Sequence, residues 1–312
     1  MSGVHTSAID RTSKTASSNV PVRGTQSMVA QMGWVWGRPS LTLLEIAWRW
    51  AFGIPFLAVC WRQWQLILGT HPLEASGFTS IDRQNPWIAI VQLANVWSYY
   101  QASVFAVLIW LLPAAAVAWV IMSGIGRSVV LRRMDAHLPF RPAAMIVLQA
   151  AWLALLAATF WLWFHCIRWV ADTHISTGDE PDLVGFAIWV IVLSLGFFTL
   201  WALISWALSI APVLLLLENR SVLSSLTESV KLGREFTGKL AEINLVMGIV
   251  KLALIVLAMV FSAAPLPFSD QLGPGALRGI TMGATVFYLV GNDYFHVVRL
   301  KGFVEFWRMY RG

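Results

Sequence analysis

Long apolar runs alternate with short polar segments along most of this 312-residue chain. A helix needs about 20 apolar residues to cross a hydrocarbon core ~30 Å thick. On that criterion the pattern predicts six membrane-spanning helices, at about 41–57 (continuing toward 68), 104–124, 142–170, 183–217, 241–264 and 276–298. The fourth run would extend ~50 Å as one straight helix, so we expect it to project beyond the bilayer and bend near Pro212.

Two further segments predict amphipathic helices lying at the membrane surface. The first is ENRSVLSSLTESVKLGREFTGKLAEINL, residues 218–245, which is too charged to cross. Ser221 is its expected N-cap, because a hydroxyl can accept from the first free backbone N–H groups. Its apolar stripe consists of Val222, Leu223, Leu226 and Val230. Its basic residues include Lys231 and Arg234. The second segment begins at Asn85, NPWIAIVQLANVWSYYQ, and carries the Trp and Tyr residues that favour the headgroup level.

The basic residues predict the orientation. They concentrate between spans two and three, between spans four and five, and after span six, whereas the alternate loops carry few. Because cytoplasmic loops are enriched in Lys and Arg, we expect a multi-pass protein of the cell membrane with both termini in the cytoplasm. Residues 1–38 are rich in Ser and Thr and predict a disordered cytoplasmic tail, with Met1 and Met28 both possible starts. Residues 39–312 then form a single six-span domain with a short basic C-terminus.

Composition supports this interpretation. The chain is 58% hydrophobic and 12% charged, whereas an average soluble domain has about 25% charged residues. Its 18 tryptophans are typical of membrane interfaces. The net charge of +6 belongs to bases that flank apolar runs, so nucleic acid is not an expected partner. The sequence therefore predicts an all-α, polytopic membrane helix bundle, with membrane lipids as partners and other membrane proteins or a second copy of the chain as further candidates.

Residues 211–264 resemble a known arrangement. An apolar helix next to a Pro is followed by an acidic residue, by the short amphipathic segment SVLSSLTESVKLGREF, and by another span. This arrangement is similar to the multi-span domain attached to some bacterial glycerophosphodiester phosphodiesterases, and to segments of uncharacterised six-span bacterial inner-membrane proteins. In the fused enzymes the catalytic carboxylates belong to a separate soluble barrel that has no counterpart here. The resemblance implies a bacterial inner-membrane location and argues against enzymatic activity.

Four ionisable residues within the predicted spans form a candidate intramembrane cluster: Glu45, Arg49, Lys251 and Asp293. Ionisable groups in the hydrocarbon region are costly and are functional candidates for that reason. Helix positions place all four in the cytoplasmic half of the membrane. One interpretation is a buried set of ion pairs that fixes helix register, and the other is a path for protons or a solute.

The sequence offers no catalytic constellation. Met122-Ser123-Gly124 resembles an intramembrane serine protease motif, but Ile121 occupies the position of its earlier glycine. His165 and His296 fall at opposite ends of their spans, which is unsuitable for axial haem ligation, and no metal-ligand spacing occurs. We therefore expect no cofactor, no metal and no enzymatic activity. The predicted function is that of a scaffold or accessory factor in an envelope or lipid-related process, and the alternative is a small transporter or channel.

Overall fold

The computed structural model describes residues 24–81, 84–176, 182–235, 237–263 and 273–311, and the regular structure in these ranges is helical throughout. The predicted all-α class is therefore confirmed for the described residues. The helices, in chain order, are α1 (Gly24–Trp36), α2 (Pro39–Thr70), α3 (Pro86–Met134), α4 (Pro142–His174), α5 (Leu183–Leu208), α6 (Ala211–Leu217), α7 (Val222–Glu235), α8 (Thr237–Ala263) and α9 (Pro274–Arg311). Two 3₁₀ turns, Glu74–Ser76 and Phe78–Ser80, lie between α2 and α3.

The predicted disordered tail is wrong over its last part, because α1 occupies residues 24–36. The buried residues of this helix include Met28, Gln31 and Val35. They recur every three or four positions, so one stripe of α1 faces the bundle. The Tyr294 hydroxyl of α9 donates to the Met32 carbonyl oxygen at 2.8 Å. Residues 1–23, where the rest of the predicted tail falls, lie outside the described residues.

The second predicted surface helix is also wrong as a separate element. The segment after Asn85 is the beginning of α3, which continues without a break to Met134 over 49 residues. That length corresponds to ~73 Å, well beyond the ~40–45 Å of a whole bilayer. No glycine or proline occurs between Pro86 and Pro113 to break the helix. The Trp and Tyr residues of this segment, which favour a membrane interface, therefore do not coincide with the end of a helix.

The sequence predicts a bend near Pro212, and the structure has a short interruption of the helix at that place. Helix α5 ends at Leu208, and α6 begins after a two-residue turn at Ala211, with Pro212 in its first turn. A proline is tolerated there because the first N–H groups of a helix have no intrahelical acceptor. Helix α6 ends before Asn219, whose φ of 52° is the left-handed conformation that often follows a helix. The Arg141 guanidinium donates to the Asn219 side-chain oxygen at 2.8 Å.

Four helical stretches in the described ranges are long and apolar enough to cross a membrane: Pro39–Thr70, Ile88–Met134, Pro142–His174 and Leu183–Leu217. In their most apolar windows, 0% to 17% of residues are buried within the protein. Such a surface is suited to lipid rather than to water. The apolar part of α8 is Asn244–Val260, which is shorter than these four stretches. The fifth and sixth predicted spans, on α8 and α9, therefore stay predictions.

Buried apolar side chains gather at one end of the bundle, which we call the core end. They come from α1, the start of α2, the end of α3, the start of α4, α6, the first half of α8 and the end of α9. The largest apolar side chains that are fully buried are Val35, Leu41, Val130, Leu131, Met145, Ile210, Leu214, Leu215, Leu216, Met247 and Phe303. Consecutive long helices α2 to α5 pack side by side, and α9 packs against α1, α2 and α8. The core end thus brings together residues from distant parts of the chain.

Two glycines of α3 allow its neighbours to approach closely. A Cβ atom at Gly124 would lie 2.7 Å from the Ile146 Cα atom of α4, and one at Gly126 would overlap the Trp48 ring of α2. We expect Gly124→Ala to lower the free energy of unfolding by about 1–3 kcal/mol, because the α4 backbone must move. Thermal unfolding in detergent, followed by circular dichroism, measures the change.

Gly53→Ala is the matched control, since a Cβ atom at Gly53 would meet no described atom within 4 Å. There the usual preference of helices for alanine over glycine applies, and stability should be unchanged or higher by up to about 1 kcal/mol. Equal stability changes in the two variants would contradict the close approach of α3 and α4.

Candidate functional site

Glu45 is the most deeply buried charged residue described at the core end, with an exposed fraction of 0%. Its carboxylate accepts from the Arg49 guanidinium, one turn later in α2, at 2.7 Å. The Trp48 indole N–H donates to its other oxygen at 2.9 Å. A buried carboxylate needs hydrogen-bond donors in place of water, and α2 itself supplies these donors to Glu45.

Arg49 joins α2 to α9. A second nitrogen of its guanidinium lies 2.8 Å from a carboxylate oxygen of Asp293, which is 4% exposed. The structure therefore brings three of the four predicted cluster residues into one chain of ion pairs. Lys251 of α8 lies close enough to this chain of ion pairs for Asp293 to attract its ammonium group and for Arg49 to repel it. Among the described residues, however, Lys251 makes neither an ion pair nor a hydrogen bond.

Helix α9 adds two residues on the same face as Asp293. His296 is 4% exposed and lies one turn further along. The Arg299 guanidinium donates to His296 Nδ1 at 3.2 Å, and since arginine can only donate, the ring proton of this imidazole lies on Nε2. Nε2 in turn lies 3.6 Å from a Glu45 oxygen. Asp293, His296 and Arg299 thus continue the network toward the core end.

Arg127 of α3 completes the charged set. Glu45 attracts its guanidinium, whereas Arg49 and Arg299 repel it. The Nε atoms of Arg127 and Arg299 are both buried and have no hydrogen-bond partner within the described part of the chain. Buried donors without an acceptor cost free energy. Each of these two arginines therefore has an unused hydrogen-bond donor that a bound acceptor would satisfy.

A cavity of about 90 Å³ opens beside these two arginines. Helices α3, α4, α5, α6, α7, α8 and α9, with the turn between α5 and α6, contribute to it. Its walls are Arg127, Leu148, Gln149, Trp152, Ser205, Trp206, Leu208, Ser209, Pro212, Leu226, Asn244, His296, Arg299, Leu300 and Phe303. Asn244 is 5% exposed, and neither atom of its amide has a hydrogen-bond partner among the described residues. The cavity is therefore a polar space whose walls offer unused donors.

The charges around the cavity do not balance. The described side chains of the network carry four cations (Arg49, Arg127, Lys251, Arg299) and two carboxylates (Glu45, Asp293). Both carboxylates are engaged by Arg49. Because uncompensated buried charge is strongly unfavourable, an anion accepting from Arg127, Arg299 and Asn244 would supply both the missing charge and the missing acceptors.

None of the four predicted cluster residues lines this cavity. Four residues of the cavity wall were not predicted as site residues: Arg127, Gln149, Asn244 and Arg299. The two arginines were missed because basic residues at span ends were interpreted only as orientation signals. One signal was present: Asp293, His296 and Arg299 are spaced three apart, which places them along one side of a helix. No comparable pattern in the sequence marks Asn244.

Helix α7, the first predicted surface helix, packs against the bundle through α5 and α6. Its N-cap is as predicted: the Ser221 hydroxyl accepts from the Ser224 backbone N–H at 3.3 Å. Of the predicted apolar stripe, Val222 and Leu226 pack against the core, and Leu226 reaches the cavity. The other two predicted residues, Leu223 and Val230, are 73% and 55% exposed.

The two basic residues predicted for α7 are less informative. Lys231 is exposed and lies 3.9 Å from Glu228. The side chain of Arg234 lies outside the described residues. The side of α7 that faces the bundle also carries the buried Ser225 and Ser229, whose small hydroxyl side chains allow close packing.

The polar groups of the cavity wall are arginine, histidine and amide side chains with two serine hydroxyls. In the ranges that the structure describes, no three His, Cys, Asp or Glu side chains are arranged to hold a metal ion. Comparison with known proteins gives no family model, no curated protein and no solved structure that matches this chain.

Proposed function

We propose that this chain is a multi-pass integral membrane protein without enzymatic activity that binds an anionic group in the cavity at its core end. The observation that carries the proposal is the pair of half-buried arginines, Arg127 and Arg299, whose buried Nε donors have no described acceptor. The six-span arrangement with cytoplasmic termini belongs to the same proposal. In that orientation the core end faces the cytoplasm, where the basic residues concentrate.

The surroundings favour a lipid-related role over catalysis. The cavity lies near the ends of the apolar helices α4 and α5. In the proposed six-span arrangement it therefore falls near the level of the phospholipid headgroups. Arginine binds phosphate and carboxylate oxygens through two parallel hydrogen bonds. A scaffold or accessory factor in an envelope or lipid-related process could use such a site to sense or hold anionic lipid.

The alternative of a small transporter or channel receives less support. It requires a polar path through Glu45, Arg49, Lys251 and Asp293, and these residues do not line the described cavity. Movement of a solute into liposomes that contain only this protein would favour that alternative.

Native mass spectrometry in a nonionic detergent tests the proposed function. We expect phosphatidylglycerol to remain bound in preference to phosphatidylcholine, and Arg299→Gln to weaken phosphatidylglycerol binding about tenfold, since a hydrogen bond to a charged group contributes about 1.5–3 kcal/mol. Addition of inorganic phosphate shows whether a free anion competes for the same site.

Arg278→Gln is the matched control, because it removes the same charge from an exposed position of α9. It should bind phosphatidylglycerol as the unaltered protein does. Equal retention of the two lipids, or equal binding by both variants, would contradict an anionic site at Arg299.

A further inference from the structure

A second, apolar groove lies between α4 and α5, beyond the cavity. Its volume is about 210 Å³, and its walls are almost entirely apolar. They are Leu156, Thr159, Phe160, Trp163, Ser194, Phe197, Phe198 and Trp201. The Trp163 indole N–H donates to the Ser194 hydroxyl at 3.1 Å, so even the polar atoms of this groove are engaged with each other.

Cavity and groove lie on the same faces of the same two helices. On α4 the cavity is lined by Leu148, Gln149 and Trp152, and the groove by residues that follow at the same helical spacing, from Leu156 to Trp163. Steps of three and four residues keep side chains on one side of a helix.

Helix α5 repeats the pattern in the opposite direction. The groove residues run from Ser194 to Trp201, and the cavity residues follow at Ser205 and Leu208. The rings of Trp152 and Trp201, 5.2 Å apart, lie where the two spaces meet. Cavity and groove therefore lie end to end along one interface between α4 and α5, which we call the seam, and the edge-to-face pair of Trp152 and Trp201 lies between them.

The polarity and length of this seam match an amphiphile. At the core end it offers the donors of Arg127 and Arg299, and further along it offers the aromatic side chains of Phe160 and Phe197. The rise from Gln149 to Trp163 is ~21 Å, more than half of a ~30 Å hydrocarbon core. Phe160 and Phe198 are 53% and 72% exposed, so the groove faces the lipid phase from which a chain could enter.

We infer that the ligand is a single anionic lipid, whose charged headgroup occupies the cavity and whose acyl chain lies in the α4–α5 groove. This inference rests on the proposed function and narrows it, because a free anion would fill the cavity and leave the groove to bulk lipid. The headgroup supplies the negative charge that compensates the arginines, and the groove makes the site selective for a molecule with a long acyl chain.

The test compares binding of two anionic phosphate compounds in nanodiscs of phosphatidylcholine. Phosphatidylglycerol, a phosphodiester, carries a photoreactive diazirine on one acyl chain, and glycerol phosphate, a phosphomonoester, has no chain. Thr159→Trp fills the groove, and Ala158→Trp places the same side chain at the adjacent, exposed position outside it. We expect crosslinks to the groove residues. We also expect Thr159→Trp to reduce phosphatidylglycerol binding about tenfold, with Ala158→Trp unchanged and glycerol phosphate still competing equally in both variants.

The outcomes separate the two claims. If Thr159→Trp binds phosphatidylglycerol as well as Ala158→Trp while Arg299→Gln does not, the groove does not hold the chain and the anionic site stands. If Thr159→Trp and Arg299→Gln both bind normally, the proposed function fails together with this inference. Crosslinks spread evenly over the exposed apolar surface of α2 and α3 would also overturn the assignment of the acyl chain to the groove.

Discussion

Replacement of Glu45 by alanine should lower the free energy of unfolding by about 3–5 kcal/mol, the cost of removing one partner from a buried ion pair. Glu45 accepts from Arg49 and Trp48 and lies 3.6 Å from His296. Without it the four cations of the network, Arg49, Arg127, Lys251 and Arg299, face a single carboxylate, Asp293. Denaturant-induced unfolding in detergent micelles, followed by circular dichroism, measures the loss.

Glu74→Ala is the control for this prediction, since Glu74 lies exposed in the first 3₁₀ turn. Its effect should stay within about 0.5 kcal/mol. Glu45→Gln should fall between the two variants, because an amide oxygen can still accept from Trp48 although the charge is gone. A loss below about 1 kcal/mol for Glu45→Ala would show that the carboxylate does not hold α2 and α9 together.

The double variant Arg127→Gln/Arg299→Gln should have the largest effect on binding. Each guanidinium has a buried donor without a described partner, and a hydrogen bond to a charged group contributes about 1.5–3 kcal/mol. Their joint loss should weaken phosphatidylglycerol binding roughly 100-fold or more. Binding measured by native mass spectrometry across a titration of the lipid gives this ratio.

Stability distinguishes a binding role of these arginines from a purely structural one. Arg49 and Arg299 repel Arg127, so removing two cations from a site with excess positive charge should leave the lipid-free protein as stable as before or more so. A large loss of stability without lipid, together with unchanged lipid binding, would mean that Arg127 and Arg299 serve packing alone.

Much of the fold is readable from the sequence because lipid imposes a simple pattern. The runs that became α2 to α5 are long and apolar, and the interruption of the helix before Pro212 follows from the missing N–H of proline. Helix α1 was missed, although Met28, Gln31 and Val35 have helical spacing, because a single short stripe in a Ser- and Thr-rich segment is a weak signal. The boundary expected between the surface helix ending near residue 101 and the span beginning at residue 104 does not exist, because nothing in α3 interrupts its hydrogen bonds there.

The candidate site was predicted only in part, for a different reason. Glu45 and Arg49 are one turn apart, and the depth of Asp293 could be counted from the span end, so this group was accessible to sequence reasoning. Arg127 and Arg299 could not be paired, because their proximity depends on how α3 packs relative to α9. The seam between α4 and α5 depends on which faces of two uniformly apolar helices meet, and uniform apolarity does not specify a face.

The most direct test of the anionic site is an experimental structure in nanodiscs that contain phosphatidylglycerol, examined for density between Arg127, Arg299 and Asn244. We expect a phosphate within hydrogen-bond distance of both guanidinium groups and of the Asn244 amide, with an acyl chain that passes Trp152 and Trp201 to reach the groove. A carboxylate of the chain itself bound to the two arginines in a closed, lipid-free cavity would contradict it.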